Sequence, residues 1–596
     1  MAVNGFATSM RTHACGDLRG SDAGLQVTLC GWVWRQRDHG GVRFVDLRDA
    51  TGLVQLVLHP QEAPEAYAAA QSFKSESVIR VSGEVRLRPE GTVNRDLPTG
   101  EVEVSVHDVE VLAVAETPPF PIEDRTEASE ELRLRYRYLD LRRPEMTRVL
   151  RLRHRVVRII REEMDARGFV DVETPLLTRS TPEGARDFLV PSRLWPGSFY
   201  ALPQSPQQLK QLLMVGGQDR YYQIVRCLRD EQTRADRSFE FTQLDMEMSF
   251  VSEEDVIAVI EPVYARIVRE VHGVEIPTPF PRMTYAEMIS RYGTDKPDLR
   301  YGDRMLIADL SEDFAGTGFN AFAKVLAQDG AIRGFAITWD GEPSRGHMRE
   351  LETFVRGRGA AGLAWFGVTG ANGIDGPIAK FLTPDEQAAI VKKTEASLGD
   401  VVFLVADKPS RVNSALDGLR RQMAARFELA REGEWTFVWM VEPPLFEWGE
   451  DEGKWVSVHH PFTAPASDDL DPHTAIARGY DLVLNGFELG GGSIRIHRPE
   501  VQHRVFEVLG LSDEEIEEKF GHMLTAFRFG APPHGGIAMG IDRLAMLMAG
   551  KETLRDVTAF PKSQSGADPL TGAPSPASED QLRELGIAVI DQPEDD

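Results

Sequence analysis

The sequence predicts a multidomain α+β protein. Residues 25–112 hold five short alternating stretches split by Gly-rich turns, the mark of a small β-barrel. From residue 147 a helical spacing gives way to a short strand, and further on a charged loop feeds a second alternating stretch at 229–250. A Gly-rich α+β stretch, 300–426, reads as an inserted domain. With 596 residues, 42% of them hydrophobic, the chain is too long for one core, and three or more globular units are expected.

Sixty-seven Lys+Arg stand against 93 Asp+Glu, a net charge of −26. That balance argues against indiscriminate coating of nucleic acid but permits a local basic surface. Cys15, Cys30 and Cys227 lie far apart and show no metal-ligand spacing, which favours a reduced, cytoplasmic setting. The first twenty residues lack a long apolar core and no run approaches a membrane span, so neither signal peptide nor membrane anchor is expected.

The five strands begin at Leu25 (LQVTLCGWVW), Val42 (VRFVDLRD), Leu53 (LVQLVL), Val78 (VIRVSGEVRL) and Glu101 (EVEVSVHDVEVL). Five strands of this length suit an OB-fold, whose open face binds single-stranded nucleic acid by stacking and basic contacts. Arg35, Arg37, Asp38, Phe44 and Gln55 gather around the turn DHGG as candidates; Phe44 by itself reads as core, because an aromatic in a small barrel usually packs inward. TPPFP at 117–121 cannot continue a sheet, so a barrel domain 1–115 is followed by a hinge 116–145. Leu152, Val156, Ile160 and Met164 mark a long helix that Gly168 stops, and most arginines of 133–161 are expected to be solvated.

Arg229–Phe250 reads RDEQTRADRSFEFTQLDMEMSF: a polar loop, then alternation through Phe241, Leu244, Met246 and Met248. An interior strand cannot leave Asp245 and Glu247 unpaired, so both carboxylates should meet cations or a bound substrate. The Pro-, Ser- and acid-rich tail 563–596 is expected to be flexible.

Three stretches together carry a resemblance. The strand closing on Pro175, the Arg229 stretch and GGIAMGIDRLAML from Gly535 resemble, in order, motifs 1, 2 and 3 of the class II aminoacyl-tRNA synthetases. With an N-terminal OB-fold they point to the aspartate/asparagine/lysine subgroup. Within it STPEGARDF (180–188), LPQSPQQLKQLLM (202–214), HHPFT (459–463) and GFELGGGSIRIH (486–497) are similar to the bacterial-type aspartyl-tRNA synthetases, over about Arg11 to Lys562. The resemblance implies a catalytic domain on an antiparallel sheet, split as 146–299 and 426–562 around the insert 300–425. It also implies activation of L-aspartate with ATP, Mg²⁺, transfer to tRNA-Asp, and a homodimer built through motif 1.

It further implies roles. Arg229 would hold the α-phosphate and substrate carboxylate, Arg543 the far end of the triphosphate, and Glu231 the adenine or ribose side; Phe241 would stack on adenine opposite Arg543. Bidentate, permanently charged guanidinium groups suit such anions. Asp230, Glu488, Gly540, Ile541 and Asp542 complete the ATP set. Asp481 and Glu488, one strand's length apart, would hold Mg²⁺. The aspartate pocket maps onto Glu183, Ser205, Gln207, Lys210, Arg229, Asp245, His459, His460 and Arg495, with Lys210 and Arg495 facing the side-chain carboxylate. Arg37, His39, Phe44 and Gln55 would meet the anticodon.

Gln232-Thr233, Ser238-Phe239 and Gln208-Leu209 depart from the family pattern. His39 resembles the residue of relatives that charge tRNA-Asn as well as tRNA-Asp, and the insert resembles the extra domain of the bacterial-type enzymes, whose relative occurs in a subunit of a tRNA-dependent amidotransferase, which implies a functional link to such an enzyme. The readings left open are a strictly discriminating aspartyl enzyme, an asparaginyl enzyme, and a non-catalytic RNA-binding paralogue.

Overall fold

The computed structural model describes residues 5–180, 185–339, 341, 343–370, 373–450 and 452–590. The chain divides into two compact units, one running to Leu152 with Lys551–Pro576 added, the other Arg153–Gly550 with Ala577–Asp596.

The first unit holds a closed barrel of β1 (Gln26–His39), β2 (Val42–Asp49), β3 (Gly52–Leu58), β4 (Val78–Leu87) and β5 (Val102–Ala113), in the order β1-β2-β3-β5-β4. Val27, Leu29, Val33, Val45 and Leu47 point inward at a period of two and are fully or almost fully buried. The β1–β2 turn has Gly40 at φ +62° and Gly41 at φ +81°, the two left-handed positions a tight two-residue hairpin needs. The arginines at 133–161 do not all face solvent. Arg137 and Arg143 are buried around the buried carboxylate of Asp140, at 2.7 Å for Arg143 Nε, and Arg137 also donates to the carbonyls of Arg555, Thr558 and Ala559. A buried carboxylate needs such partners.

The second unit is built on an eight-stranded sheet. Its strands are β6 (Val170–Asp171), β9 (Arg220–Leu228), β10 (Glu240–Ser249), β11 (Arg282–Thr284), β17 (Phe437–Val441), β20 (Gly479–Leu484), β21 (Phe487–Ile494) and β22 (His534–Gly540), ordered β11-β17-β20-β21-β22-β10-β9-β6. The centre is antiparallel as expected, while the edge pairs β11–β17 and β6–β9 run parallel. Small hairpins β7 (Leu189–Pro191) with β8 (Phe199–Ala201), and β18 (Phe446–Gly449) with β19 (Lys454–Ser457), flank it.

Between β11 and β17 the insert forms its own antiparallel sheet from β12 (Ala308–Asp309), β13 (Ala331–Thr338), β14 (Ala364–Gly370), β15 (Gly373–Asp375) and β16 (Asp400–Asp407). Phe335, Phe403 and Val405 face one core and Ile332, Val402 and Leu404 the other, so both sides are covered. The tail carries a short helix, Glu579–Leu585, with no buried residue. Among the described residues no helix is long and apolar enough to cross a membrane.

Candidate active site

Pairing register places the site. Asp245 on β10 stands opposite Ala538 on β22, Ala538 opposite Gly491 on β21, and Gly491 opposite Asp481 on β20. The next row runs Glu247, Gly536, Ser493, Gly479. Because side chains alternate, these rows share one face of the sheet with Phe241 and Gln243. Phe241 therefore lies opposite to Leu244, Met246 and Met248, with which the sequence pattern grouped it. Small residues clear the floor: a Cβ on Gly536 would sit 2.1 Å from Glu247 Oε2, and one on Gly491 2.4 Å from Asp481 Oδ1.

Four charges occupy that floor, and none is more than 2% exposed: Lys210, Asp245, Glu247 and Arg495. Lys210 comes from the helix Gln207–Val215 and reaches Asp245 Oδ2 at 2.9 Å and Glu247 Oε2 at 3.3 Å. Arg495 grips Glu247 with two parallel bonds, Nε to Oε1 at 2.9 Å and Nη2 to Oε2 at 3.1 Å. Its Nη1 donates to Ser493 Oγ and His460 Nε2, both at 2.6 Å. Lys210 and Arg495 are thus not unpaired cations awaiting a substrate carboxylate, as the sequence suggested. Two protein carboxylates already balance them. Glu247, absent from the pocket assignment, completes the cluster, and its alternation with Asp245 is the signal that places it there.

Burial raises the Asp245 carboxyl, with Lys210 only partly offsetting it. Burial acts the same way on Glu247, but Arg495 and Lys210 outweigh it and hold this carboxyl below its ordinary value. His460 is pushed well down by burial and by Arg495, so it is the neutral imidazole that accepts from that guanidinium. For His459 burial lowers the ring, yet the carboxylates of Asp481 and Glu488 prevail and raise it. His459 Nε2 meets Asp481 Oδ1 at 2.8 Å. Asp245 Oδ1 and His459 Nδ1 are buried with no hydrogen-bond partner among the described residues. Such atoms are costly unless something arrives to meet them.

Arg229 follows β9 directly, and its backbone N–H donates to Phe239 O at 2.9 Å. Its guanidinium lies 5.1 Å from the Phe241 ring centroid, and its Nε is buried with no hydrogen-bond partner among the described residues. Phe239, one of the departures from the family pattern, packs edge-on against Phe188. Glu231 accepts from Arg237 at 2.8 Å, and the exposed Asp230 donates its N–H to Arg186 O. Arg543, on the helix Ile541–Met548, donates to Glu488 O and to Asp236, and its Nε has no partner among the described residues. Ile541 is core, and Gly540 is the residue before that helix. The Asp542 carboxylate is buried and accepts from the Thr242 N–H at 2.6 Å and from Arg153, which ties β10 to the helix Pro144–Ala166. Ser205 Oγ accepts from the Gln207 N–H, and Gln207 Nε2 donates to Gln211. Glu183 lies outside the described residues.

Asp481 and Glu488 are on adjacent strands joined by a hairpin rather than along one strand, with Glu488 paired in register with Val483. Lys296 takes Glu488 Oε2 at 3.2 Å and Asp295 at 2.9 Å. No local sequence signal connects Lys296 to this place. No group of three or more potential metal-binding side chains occurs among the described residues.

On the barrel, Phe44 does not enter the core. Its neighbours Val45 and Leu47 do, and Phe44 is half-buried with the Arg37 guanidinium 5.5 Å from its ring. Arg37 donates to Gln55 at 2.6 Å and approaches Asp46 at 3.5 Å, while Arg35 is turned to Glu123. His39 is exposed at the hairpin end.

A family model described as tRNA synthetases class II (D, K and N) matches residues 129–564, and one described as an OB-fold nucleic acid binding domain matches residues 27–112. An "Aspartate--tRNA(Asp/Asn) ligase" of Moorella thermoacetica is 52% identical over 98% of this chain and 98% of its own length. A protein of the same description from Caldanaerobacter subterraneus subsp. tengcongensis is 50% identical over 97% and 98%. Among solved structures, asparaginyl-tRNA synthetase from Pyrococcus horikoshii complexed with asparaginyl-adenylate superposes with a TM-score of 0.58 at 18% identity, covering 92% of this chain and 98% of that one.

Proposed function

Because the chain belongs to the class II tRNA synthetases (D, K and N), we infer that it is an ATP-dependent ligase that joins L-aspartate to tRNA through an aspartyl-adenylate. The observation that carries the choice of amino acid is the buried Lys210–Asp245–Glu247–Arg495 cluster.

In that cluster the two cations and two carboxylates cancel, so specificity rests on direction rather than on surplus charge. Among the described residues Lys210, with three N–H donors, meets two carboxylate oxygens, and Arg495 retains an N–H on Nη2. These remaining donors suit a carboxylate at both oxygens. An asparagine would turn its NH₂ against one of them and leave a buried donor unpaired, a loss large enough to reject the amide. Asp245 Oδ1, unpartnered and buried, suits the substrate ammonium. Arg229 Nε and Arg543 Nε, also unpartnered, suit the anionic oxygens of ATP.

In the first step an oxygen of the aspartate α-carboxylate attacks the α-phosphorus. A C–O–P linkage forms, the bond to the β-phosphate oxygen breaks, and pyrophosphate leaves with that electron pair. The side chains position two anions and stabilise spreading charge. In the second step the terminal ribose hydroxyl of tRNA attacks the acyl carbon, AMP departs, and a phosphate oxygen of the adenylate takes the hydroxyl proton. Asp481 and Glu488 fit Mg²⁺ by donor chemistry, as two hard oxygen ligands on one sheet face with phosphates to complete the shell. Bound there, the ion would neutralise phosphate charge, and Lys296 would be left to Asp295. ATP–pyrophosphate exchange dependent on aspartate tests the first step; no exchange with aspartate, or equal exchange with asparagine, sinks the assignment.

Arg37, Phe44 and Gln55 supply a cation, a ring and an amide for anticodon bases, with His39 at the adjoining turn. His39 and the Asp/Asn specificity in the relatives' names support charging of both tRNA-Asp and tRNA-Asn. Aspartyl-tRNA-Asn would then require a tRNA-dependent amidotransferase. Purified tRNA-Asn transcript that stays uncharged at high enzyme concentration would falsify the dual specificity. Exposed Leu176, Leu177, Leu194 and Trp195, beyond the strand Val170–Asp171, support a homodimer with a mass near twice 66.4 kDa, and three cysteine thiols outside any disulfide suit a reduced, cytoplasmic setting.

A further inference from the structure

The first unit contains a cavity that the ligase reading leaves unused. Its volume is about 430 Å³, and Trp32, Glu76, Tyr136, Tyr138, Arg142 and the segment 113–119 line it. It opens where β4 begins and β5 ends, beside the middle of β1: Trp32 pairs with Val78, and Val78 with Ala113. That is a different part of the barrel from Arg37, Phe44 and Gln55.

Glu76 is the unusual group. It is 4% exposed and sits at φ +69°, a left-handed conformation that strains a side-chain-bearing residue. Its Oε2 accepts from Arg48 at 2.6 Å and from Arg142 at 3.0 Å, while Oε1 is buried with no partner among the described residues. The two guanidinium groups fix the carboxylate, so its free oxygen is a preset acceptor. The wall around it combines aromatic rings with the Arg142 guanidinium, a donor. The Arg142 guanidinium lies 5.0 Å from the Trp32 ring centroid, Tyr136 and Tyr138 stand edge-to-face at 6.3 Å, and Pro118 and Pro119 contribute carbonyls but no N–H.

We propose that this cavity binds a nucleobase bearing an exocyclic amino group, with that group donating to Glu76 Oε1 and the ring lying against Tyr138 and Trp32. The volume falls in the range of small-molecule sites. The unpartnered carboxylate oxygen favours guanine, cytosine or adenine, whose amino groups donate to it, over uracil, whose single N–H is flanked by two carbonyls that this oxygen repels. The base has two possible sources: a free nucleotide, or an unpaired base of bound tRNA.

The test uses the full-length enzyme with its catalytic site saturated by a non-hydrolysable aspartyl-adenylate analogue. Equilibrium dialysis with labelled guanosine, cytidine and uridine should give one saturable site per chain, with uridine weakest. Tyr138→Ala, at a half-exposed position and so expected to fold, should weaken guanosine binding about ten- to hundredfold, the cost of one lost stacking ring. Trp32→Leu should act in the same direction, with thermal melting as the check on folding. If tRNA supplies the base, saturating tRNA displaces guanosine and Tyr138→Ala raises KM for tRNA; if a free nucleotide does, both bind together. Only the tRNA arm depends on the proposed charging activity. No saturable nucleoside binding up to about 10 mM together with an unchanged tRNA KM in Tyr138→Ala overturns the proposal, as does binding that ignores both substitutions.

Discussion

The sheet floor and the barrel face each place arginine beside a carboxylate, an amide or a ring, and they do so under opposite solvent conditions. Arg495 and Lys210 are dry and balanced in charge by Asp245 and Glu247. Arg37 has 56% of its side chain in water and a loose 3.5 Å approach to Asp46. A dry pair is hard to rearrange, because removing either partner leaves a buried charge. A wet pair contributes little and exchanges its partner readily. The first arrangement suits recognition of a small molecule in one pose; the second suits RNA bases that must displace whatever the arginine held before.

Arg495→Met should break the dry cluster most severely. Glu247 would lose its bidentate partner, and removing one side of a buried pair costs about 3–5 kcal/mol of stability. Aspartate-dependent pyrophosphate exchange should fall by about a hundredfold or more, even where chemical denaturation shows the protein still folded. Activity within a few-fold of wild type would mean that Arg495 is not part of the aspartate site.

Glu247→Gln sharpens the same point through pH. The folded Glu247 carboxyl is held below its ordinary value, so its stabilising effect is present above the unfolded value of about 4.3 and is lost as pH falls through the lower folded value. The gap in stability between wild type and Glu247→Gln should be on the order of 1–3 kcal/mol at neutral pH and should close only in acid below about pH 4. A gap of constant size across that range would show that pairing does not hold the carboxylate.

Gly536→Ala should cost about 1–3 kcal/mol as an overpacking change, since its Cβ would meet both Glu247 Oε2 and the Met246 carbonyl at 2.1 Å. Ala538, in the neighbouring row, already carries a methyl group, so on β22 the requirement falls on the Glu247 row. An aspartate KM and stability unchanged in Gly536→Ala would remove the argument that glycine clears the floor.

Much of this was legible in the sequence. The barrel strands follow from alternation, and the carboxylates at Asp245 and Glu247 announce that cations must come to them. The partners themselves, Lys210 and Arg495, lie far off in the chain and were reached by resemblance. What stayed hidden is what depends on register. Phe241 differs in parity from Leu244, yet a hydrophobic count groups them. Asp481 and Glu488 become neighbours only once the β20–β21 hairpin is formed, and Lys296 reaches Glu488 from a loop with no periodicity. Phe44 was read inward on residue type alone, whereas alternation with Val45 and Leu47 sends it out to Arg37. Asp140 with Arg137 and Arg143 shows the same limit: spacing of three places these groups on one helical side but does not say whether that side is wet.

The smallest effect is the one that separates the two regions most directly. Arg37→Ala should raise KM for tRNA by about tenfold or less and leave aspartate-dependent pyrophosphate exchange unchanged, because no residue of the sheet floor is touched. Raising the salt concentration from about 50 to 200 mM should weaken tRNA binding several-fold through counterion release, whereas exchange at the dry cluster should move little. If Arg37 contacts a phosphate, its removal lowers the salt slope by roughly one ion; if it stacks on or bonds to a base, the slope is kept and affinity falls alone. A slope reduced by one would reassign Arg37 from reading bases beside Phe44 and Gln55 to holding the backbone. An exchange rate as salt-sensitive as tRNA binding would instead erase the contrast between a closed, paired cluster and an open, exchanging one.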